Sequence, residues 1–359
     1  RLLFGENPFN NFSIIRFSFH NLLSGNDLYA PHPDHHWDLF KYSPTFSLLM
    51  APFYLLPRWL GLLVFNLLNA YLPCQAVCRL NIPDRAKAFI LIFIAIELLT
   101  SIQNAQCNGI VAGIMIGVFA AFERNEVVLA ALLVCLGTFI KVFPAVIGVL
   151  FLFYDRRSRF LLACAGWGLL LGLLPGLVTG PAGLVVVYRQ WLHLLATDPT
   201  LALNYSVMTL TQRWFNFTAP DRWYLIPGLV LLLLPLARLN RWKAFSFRLV
   251  YLASLLVWVV IFNHKAESPT FVIAACGVAI WSLAESNAPL RTGMLWFVFV
   301  FTMLSPTELF PPWLRQHVWQ PYCLKALPCI VAWAWIEWRL LCSKEVSLPF
   351  FGGRPVASG

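Results

Sequence analysis

Long, nearly uninterrupted apolar runs alternate with short polar connections along most of the chain. The runs do not alternate with period two, so the pattern predicts helices and not strands. A helix that crosses a bilayer needs about 20 apolar residues. We therefore predict an all-α, polytopic integral membrane protein with eleven crossings, at roughly 59–79, 87–103, 108–122, 127–143, 144–154, 160–178, 223–238, 247–262, 269–285, 293–304 and 323–342.

Basic residues in the connections give the predicted helices an orientation. They form clusters at Arg79/Arg85/Lys87, Arg156/Arg157/Arg159, Arg238/Arg241/Lys243/Arg248, Arg291 and Arg339/Lys344. With alternating helices, every cluster falls on one side, which the positive-inside rule makes the cytoplasm. The non-cytoplasmic side then receives residues 1–58, 101–108, 180–222, 263–269 and 305–322.

This arrangement corresponds to a single transmembrane domain over residues 1–359. It has an external N-terminal loop (1–58), a transmembrane bundle (59–342) and a cytoplasmic tail (343–359). The chain begins at Arg1 without a signal peptide, so we expect that one leading helix is missing. With that helix the number of crossings would be twelve, close to the eleven runs counted above.

The composition excludes several protein classes. Of the 359 residues, 59% are hydrophobic and 12% are charged, with a mean hydropathy of +0.71, whereas soluble domains carry about 25% charged residues. A water-soluble globular protein is thereby excluded. The net charge of +10 lies in connections between apolar runs, so we predict membrane lipids as surroundings and no nucleic-acid partner. The nine cysteines show no metal-binding spacing, and most lie inside apolar runs.

The N-terminal stretch is rich in polar and titratable residues. Residues 12–23 carry apolar positions at helical spacing, which predicts an amphipathic helix at the membrane interface that ends at Gly25. The HPDHH string (32–36) contains good metal ligands. A short, Pro-containing loop is more often a solvated connection, and we favour that interpretation over a metal site.

The FNHKAESPTF string (262–271) places four strongly polar groups where one apolar run ends and the next begins. One interpretation is a turn with a salt bridge between Lys265 and Glu267, capped by Ser268 before a Pro. The other is a functional site that contains His264, because charged groups at membrane depth are usually functional. We favour the functional interpretation.

Lys141 stands alone between two apolar half-segments and is followed by the helix breaker Pro144. A lysine that snorkels to the interface and a lysine that binds phosphate fit this position equally well. The SIQNAQCN turn (101–108) supplies neutral amides suited to sugar hydroxyls or to helix capping. Glu97, on the preceding apolar run, needs a partner.

Five strings occur in a specific order and spacing. They are GNDLY (25–29), FKYSPTFSLLMAPFYLLP (40–57), SIQNAQCNGIVAGIMIGVFAAFER (101–124), LGTFIKVFPAV (136–146) and FNHKAESPTF (262–271). Together they resemble the family 87 membrane glycosyltransferases, and most of all a bacterial branch of these polyprenyl-phosphate-sugar-dependent enzymes of the GT-C superfamily. The resemblance extends over roughly residues 8–285.

The resemblance implies a GT-C helical bundle in the bacterial cytoplasmic membrane, with its active site on the non-cytoplasmic face. It also implies transfer of a hexose such as mannose from a polyprenyl-phosphate sugar to a lipid or glycan acceptor. In this family an aspartate, taken to be the catalytic base, stands fourteen residues before the Gly of the GxxLY string. Here that position holds Asn11. Asparagine does not accept a proton from a sugar hydroxyl at ordinary pH.

Such a transfer requires a base, donors or cations for the departing phosphate, and no obligatory metal or other cofactor. With Asn11 in the aspartate position, we predict that His264 and Glu267 provide the base. Asp27 is the alternative, and it is less favoured because an aspartate in a turn usually bonds its own backbone. The predicted substrate-binding residues are Lys141, Lys265 and Arg213 for phosphate, Gln103, Gln106 and Asn108 for sugar, and Tyr29, Lys41 and Tyr42 from the N-terminal stretch.

Two other functions compete with an enzyme. A flippase would move a lipid-linked sugar without changing it, but the sequence shows no internal repeat and its polar groups gather on one face of the membrane. An inactive scaffold of a glycan-assembly complex would fit Asn11. Turnover of a polyprenyl-phosphate sugar by the purified protein distinguishes the enzyme from both.

Overall fold

The structure is a computed structural model that describes residues 9–197 and 204–343. Every regular element in these two ranges is helical, so the all-α prediction is confirmed for them. The α-helices are α1 (Asn10–Leu23), α2 (Pro44–Leu49), α3 (Ala51–Leu55), α4 (Arg58–Cys78), α5 (Asp84–Gln103), α6 (Asn108–Glu123), α7 (Val127–Ile140), α8 (Arg157–Leu173), α9 (Gly176–Thr197), α10 (Val207–Phe215), α11 (Arg222–Leu233), α12 (Phe245–Ile261), α13 (Phe271–Ser282), α14 (Ala288–Val298), α15 (Pro312–Leu314) and α16 (Leu327–Cys342).

Tighter and wider helical segments connect several of these helices. Segments of 3₁₀-helix occupy Phe143–Phe153, Leu234–Ala237, Leu239–Arg241 and Ser268–Thr270, and π-helix occupies Phe299–Leu304 and Arg315–Trp319. The predicted break after Lys141 is confirmed, because α7 ends at Ile140 and Lys141 has extended backbone angles. Pro144 lies inside the 3₁₀ segment that follows.

The length of the helices limits how many can cross a bilayer alone. Within the described ranges, α4 and α5 are long and apolar enough, with 21 and 20 residues. The pair α8 and α9 becomes a third candidate if it counts as one span, although it is bent by 93°. The other apolar helices have 10–17 residues. The eleven to twelve crossings stay a prediction, and the part of the predicted cytoplasmic tail after Ser343 lies outside the described residues.

The chain divides into two compact units. The first comprises residues 1–73, 101–151 and 156–201, and the second comprises residues 74–100, 152–155 and 202–359. The assignment of one transmembrane domain stays a prediction. In the first unit, α1 confirms a helix that ends shortly before Gly25, which has a φ of +69°. Phe12, Ile15 and Leu22 are buried, whereas Leu23 is exposed, and the position of the helix at a membrane interface stays a prediction. The helix also buries Ser18, whose hydroxyl donates to the carbonyl of Ile15.

The second unit is built around α12 and α13, whose residues are almost all buried. The two helices approach closely at Gly277, where a Cβ atom would lie 2.7 Å from the carbonyl oxygen of Ala253. The turn between them carries the polar residues 263–269. The turn is therefore held at both ends by two closely packed helices.

Candidate functional site

Lys141 lies where α7 ends, in the first unit. Its ammonium donates a 2.7 Å hydrogen bond to the side-chain oxygen of Asn108. The same nitrogen lies 5.9 Å from the ring centre of Tyr42 and 5.7 Å from that of Phe143, within the range of cation–π attraction. Lys141 is half-buried. The side chain is therefore held in a polar and aromatic setting within the protein.

Asn108 is the first residue of α6 and is completely buried. Its amide nitrogen donates a 2.7 Å hydrogen bond to the side-chain oxygen of Gln106. Three predicted site residues, Lys141, Asn108 and Gln106, thus form one hydrogen-bonded chain. Gln103, by contrast, is an exposed residue at the end of α5.

Tyr42 connects this chain of contacts to the N-terminal stretch. Its carbonyl oxygen accepts a 3.1 Å hydrogen bond from the Tyr29 hydroxyl, and its own hydroxyl accepts a weak one from the Cys107 thiol at 3.8 Å. The next residue, Ser43, donates to the carbonyl of Phe139, close to the end of α7. Burial raises the pKa of the Tyr29 phenol, with further contributions from Tyr188 and Asp27, so Tyr29 stays a neutral donor.

The remaining predicted residues of the N-terminal stretch bond mainly to backbone or to near neighbours. Asn11 donates a 2.8 Å hydrogen bond to the carbonyl oxygen of Asn104, in the SIQNAQCN turn. Asp27 accepts a 2.9 Å hydrogen bond from the backbone N–H of Tyr29. This is the local turn contact that the sequence suggested for it. Lys41 lies 3.8 Å from the carboxylate of Asp38.

The histidines of HPDHH make aromatic and backbone contacts. The ring of His35 stacks on Phe17 with 4.2 Å between ring centres, and His36 Nδ1 lies 2.6 Å from the carbonyl oxygen of Asp38. Burial lowers the pKa of His36, and the backbone carbonyl of Asp38 partly opposes this shift. In residues 9–197 and 204–343, no group of three or more His, Cys, Asp or Glu residues is arranged to hold a metal ion.

In the second unit, His264 lies in a tight turn and faces a carboxylate. The backbone N–H of Ala266 donates to the carbonyl of Asn263 at 3.0 Å, which closes the turn around His264 and Lys265. His264 Nδ1 lies 3.5 Å from Oδ2 of Asp221, and both side chains are about half exposed. Asp221 is a partner that sequence reasoning did not name.

Three other predicted residues of the second unit are Ser268, Glu267 and Arg213. The alternative interpretation, in which Ser268 caps the turn, is wrong in this detail, because the Ser268 hydroxyl is buried and has no hydrogen-bond partner among the described residues. Glu267 directly precedes the 3₁₀ segment Ser268–Thr270. Arg213, on α10, donates a 3.2 Å hydrogen bond to the carbonyl of Pro321, so part of its guanidinium is engaged with backbone.

A comparison with protein-family models matches residues 40–306 to the model of glycosyltransferase family 87. The chain belongs to glycosyltransferase family 87. It is therefore a glycosyltransferase, and its apolar helices agree with association with a membrane. A comparison with curated proteins found no match.

Only some of the predicted site residues lie inside the range that matches family 87. It contains Lys141, Asn108, Gln106 and Tyr42, together with the turn that carries His264. It begins after Asn11 and Asp27. The recognition of the family is thus confirmed, whereas the correspondence of Asn11 to the family's aspartate lies outside the match and stays a prediction.

Three contacts of this family 87 chain were not predicted. Lys325 is the buried partner of Glu97, at 2.6 Å, and Asp221 faces His264. The third is a buried amide, Asn69 on α4, which accepts a hydrogen bond from the N–H of Ile110. A polar residue inside an apolar run indicates that a hydrogen-bond partner lies nearby, because its burial is costly without one. Asn69 is such a residue.

Proposed function

We propose that this family 87 glycosyltransferase transfers a hexose such as mannose from a polyprenyl-phosphate sugar to a lipid or glycan acceptor. The reaction would occur on the non-cytoplasmic face of a bacterial cytoplasmic membrane, within a GT-C helical bundle. The acceptor hydroxyl attacks the anomeric carbon, the bond from that carbon to the phosphate oxygen breaks, and the hydroxyl proton passes to a base. The polyprenyl phosphate leaves as the anion.

The observation that carries this proposal is the contact between Lys141 and Asn108 at the start of α6. The N-terminus of a helix has a partial positive charge, equivalent to about half an elementary charge. The ammonium of Lys141 beside it adds a second positive group, so an anion bound between them would be attracted by both. A phosphate supplies that anion, and helix N-termini bind phosphate through their backbone N–H groups.

The residues next to Lys141 suit the sugar. Gln106 is half-buried and provides an amide with both donor and acceptor atoms, as sugar hydroxyls require. Asn108 is completely buried and holds Gln106 beside Lys141. Their mutual 2.7 Å hydrogen bond fixes their orientation before substrate binds. The half-buried ring of Tyr42 lies beside the ammonium and offers an apolar face. These contacts support a donor site in the first unit.

The base is proposed at His264 and Glu267, because Asn11 is not a base. The contact of His264 with Asp221 supports this choice, since a carboxylate near one ring nitrogen orients the imidazole and leaves the other nitrogen to accept a proton. Asp27, in comparison, already accepts a hydrogen bond from its own loop.

A transfer assay with purified protein and a radiolabelled polyprenyl-phosphate sugar tests the function. We expect label to move to an acceptor lipid or glycan. Translocation of intact donor across proteoliposomes without transfer would instead establish the flippase, and the absence of both activities would favour the scaffold. Only the first result agrees with the proposal.

The membrane orientation has its own test, because two exposed positions lie in segments assigned to opposite sides. Ser24 is exposed directly after α1, and the native Cys78 is exposed at the end of α4. In intact cells, an impermeant maleimide should label Ser24→Cys, and it should reach Cys78 only after permeabilisation. The reverse pattern would contradict the proposed face.

A further inference from the structure

Asn69 is a completely buried amide inside the apolar helix α4. A buried amide is costly unless its donor and acceptor atoms are paired. The amide nitrogen of Asn69 donates to the carbonyl of Phe65 at 3.2 Å, one turn earlier in α4. The amide oxygen accepts from the backbone N–H of Ile110 at 3.3 Å. Asn69 therefore connects two helices of the first unit.

Ile110 is the third residue of α6, and this is the position that a capping side chain normally serves. The side chain of the residue before a helix usually accepts a hydrogen bond from the second or third N–H group. Here that residue is Cys107, whose side chain makes no capping hydrogen bond within the described ranges. Its thiol donates to the Tyr42 hydroxyl instead. Asn69 thus caps α6 from a neighbouring helix.

A second contact keeps the same two helices close together. A Cβ atom at Gly113 of α6 would lie 2.6 Å from the carbonyl carbon of Leu72 and 2.7 Å from the nitrogen of Pro73. Only glycine allows this approach without a shift of backbone. The first turns of α6 are therefore fixed against α4 at two points, Asn69 and Gly113.

We infer that Asn69 is a positioning residue for the donor site, and this inference rests on the proposed function. Asn69 holds the first turn of α6, which begins with Asn108. Asn108 in turn holds the ammonium of Lys141 at 2.7 Å. Loss of the cap lets the start of α6 move, so that the phosphate-binding groups are no longer held in place. Asn69 itself touches no substrate.

The test measures donor binding and transfer for three variants of α4. Asn69→Leu removes the acceptor oxygen, and we expect the donor Kd to rise about tenfold. Asn69→Asp keeps an acceptor oxygen for Ile110 but loses the amide donor to Phe65 and buries a carboxyl group, so its donor Kd should rise less than that of Asn69→Leu. Asn66→Leu is the matched control, because it removes an amide from the same helix whose oxygen has no hydrogen-bond partner among the described residues. It should bind donor as wild type does.

A double-mutant cycle with Lys141→Met separates positioning from general destabilisation. Asn69→Leu should add little once Lys141 is absent, because both changes act on the same contact. Two results would overturn the inference. One is an equal donor Kd for Asn69→Leu and Asn66→Leu. The other is a double variant in which the rise in donor Kd equals the product of the rises caused by Asn69→Leu and Lys141→Met alone. If Asn69→Leu does not fold, the test rests on Asn69→Asp. A tenfold rise in its donor Kd would then overturn the inference. Donor binding without transfer in wild type would contradict only the proposed function.

Discussion

The ammonium of Lys325 donates a 2.6 Å hydrogen bond to Glu97, and both side chains are buried almost completely. The same nitrogen donates to the carbonyl of Thr302 at 3.0 Å and lies 5.3 Å from the ring centre of Phe271. Glu97 lies on α5, whereas Lys325 shortly precedes α16. The pair therefore joins segments of the second unit that are distant in sequence.

Loss of either partner of this pair should destabilise the protein strongly. Lys325→Met leaves the Glu97 carboxylate buried without its cation, which costs about 3–5 kcal/mol. The double variant Glu97→Leu with Lys325→Met removes both charges and should recover much of that loss. Thermal unfolding in detergent measures both. Lys87→Met, which removes a lysine from a surface pair with Asp84, is the control. Equal stability of Lys325→Met and Lys87→Met would contradict the prediction.

Substitution of Lys141 should weaken the use of donor while leaving the fold intact. A charge-assisted contact to phosphate contributes about 1.5–3 kcal/mol, so Lys141→Met should raise the donor KM roughly tenfold or more. Steady-state kinetics at varied donor concentration measure this, with Lys87→Met again as control. An unchanged KM would indicate that Lys141 only snorkels.

The proposed base predicts a large effect of two substitutions in one turn. His264→Ala and Glu267→Gln should each lower the transfer rate about a hundredfold or more, the magnitude of general-base catalysis. Asp221→Asn should also lower the rate, because it removes the carboxylate that faces His264. The measurement is kcat at saturating donor. Glu308→Gln, which removes an exposed carboxylate elsewhere in the second unit, should have no effect.

The first loop supplies the opposing test of the base. Asn11→Asp places a carboxylate at the position that the family resemblance assigns to the base, and it should preserve or raise activity. Full activity in both variants of the 263–269 turn, with loss only in Asp27→Asn, would move the base to the first loop.

Replacement by alanine should affect stability differently at a closely packed glycine of α6 and at an open glycine of α8. Gly113→Ala places a methyl group against the backbone of α4 and should cost about 1–3 kcal/mol of stability. At Gly168 of α8, a Cβ atom would meet no atom of the described residues within 4 Å, so Gly168→Ala should be tolerated. Thermal unfolding compares the two proteins. Similar losses in both would show that backbone contact does not govern the effect.

Local features of this fold could be predicted from sequence because local chemistry determines them. The helix before Gly25 follows from apolar residues at helical spacing, and the break at Lys141 follows from Pro144. The partner of Glu97 could not be predicted, since it lies 228 residues away and periodicity carries no information about such contacts.

The candidate site was predicted as separate residues and not as an arrangement. Lys141, Asn108 and Gln106 were all named, but their hydrogen-bonded chain depends on how α6 and α7 pack. The alternative interpretation of the 263–269 turn has Ser268 as a cap, but the Ser268 hydroxyl is buried without a hydrogen-bond partner among the described residues. Asp221 was missed because nothing in its local sequence relates it to His264, which follows much later in the chain.

The 93° bend between α8 and α9 determines how the chain can travel after residue 173. If α8 stands along the membrane normal, the axis of α9 lies near the plane of the membrane. α9 has 22 residues and is kinked at Gly180, where the backbone angles are not helical. Exposed Val185, Val186 and Leu192 then rest at the bilayer surface. A helix in that plane does not cross the membrane, so α8 and α9 together then account for one crossing at most, and not for two.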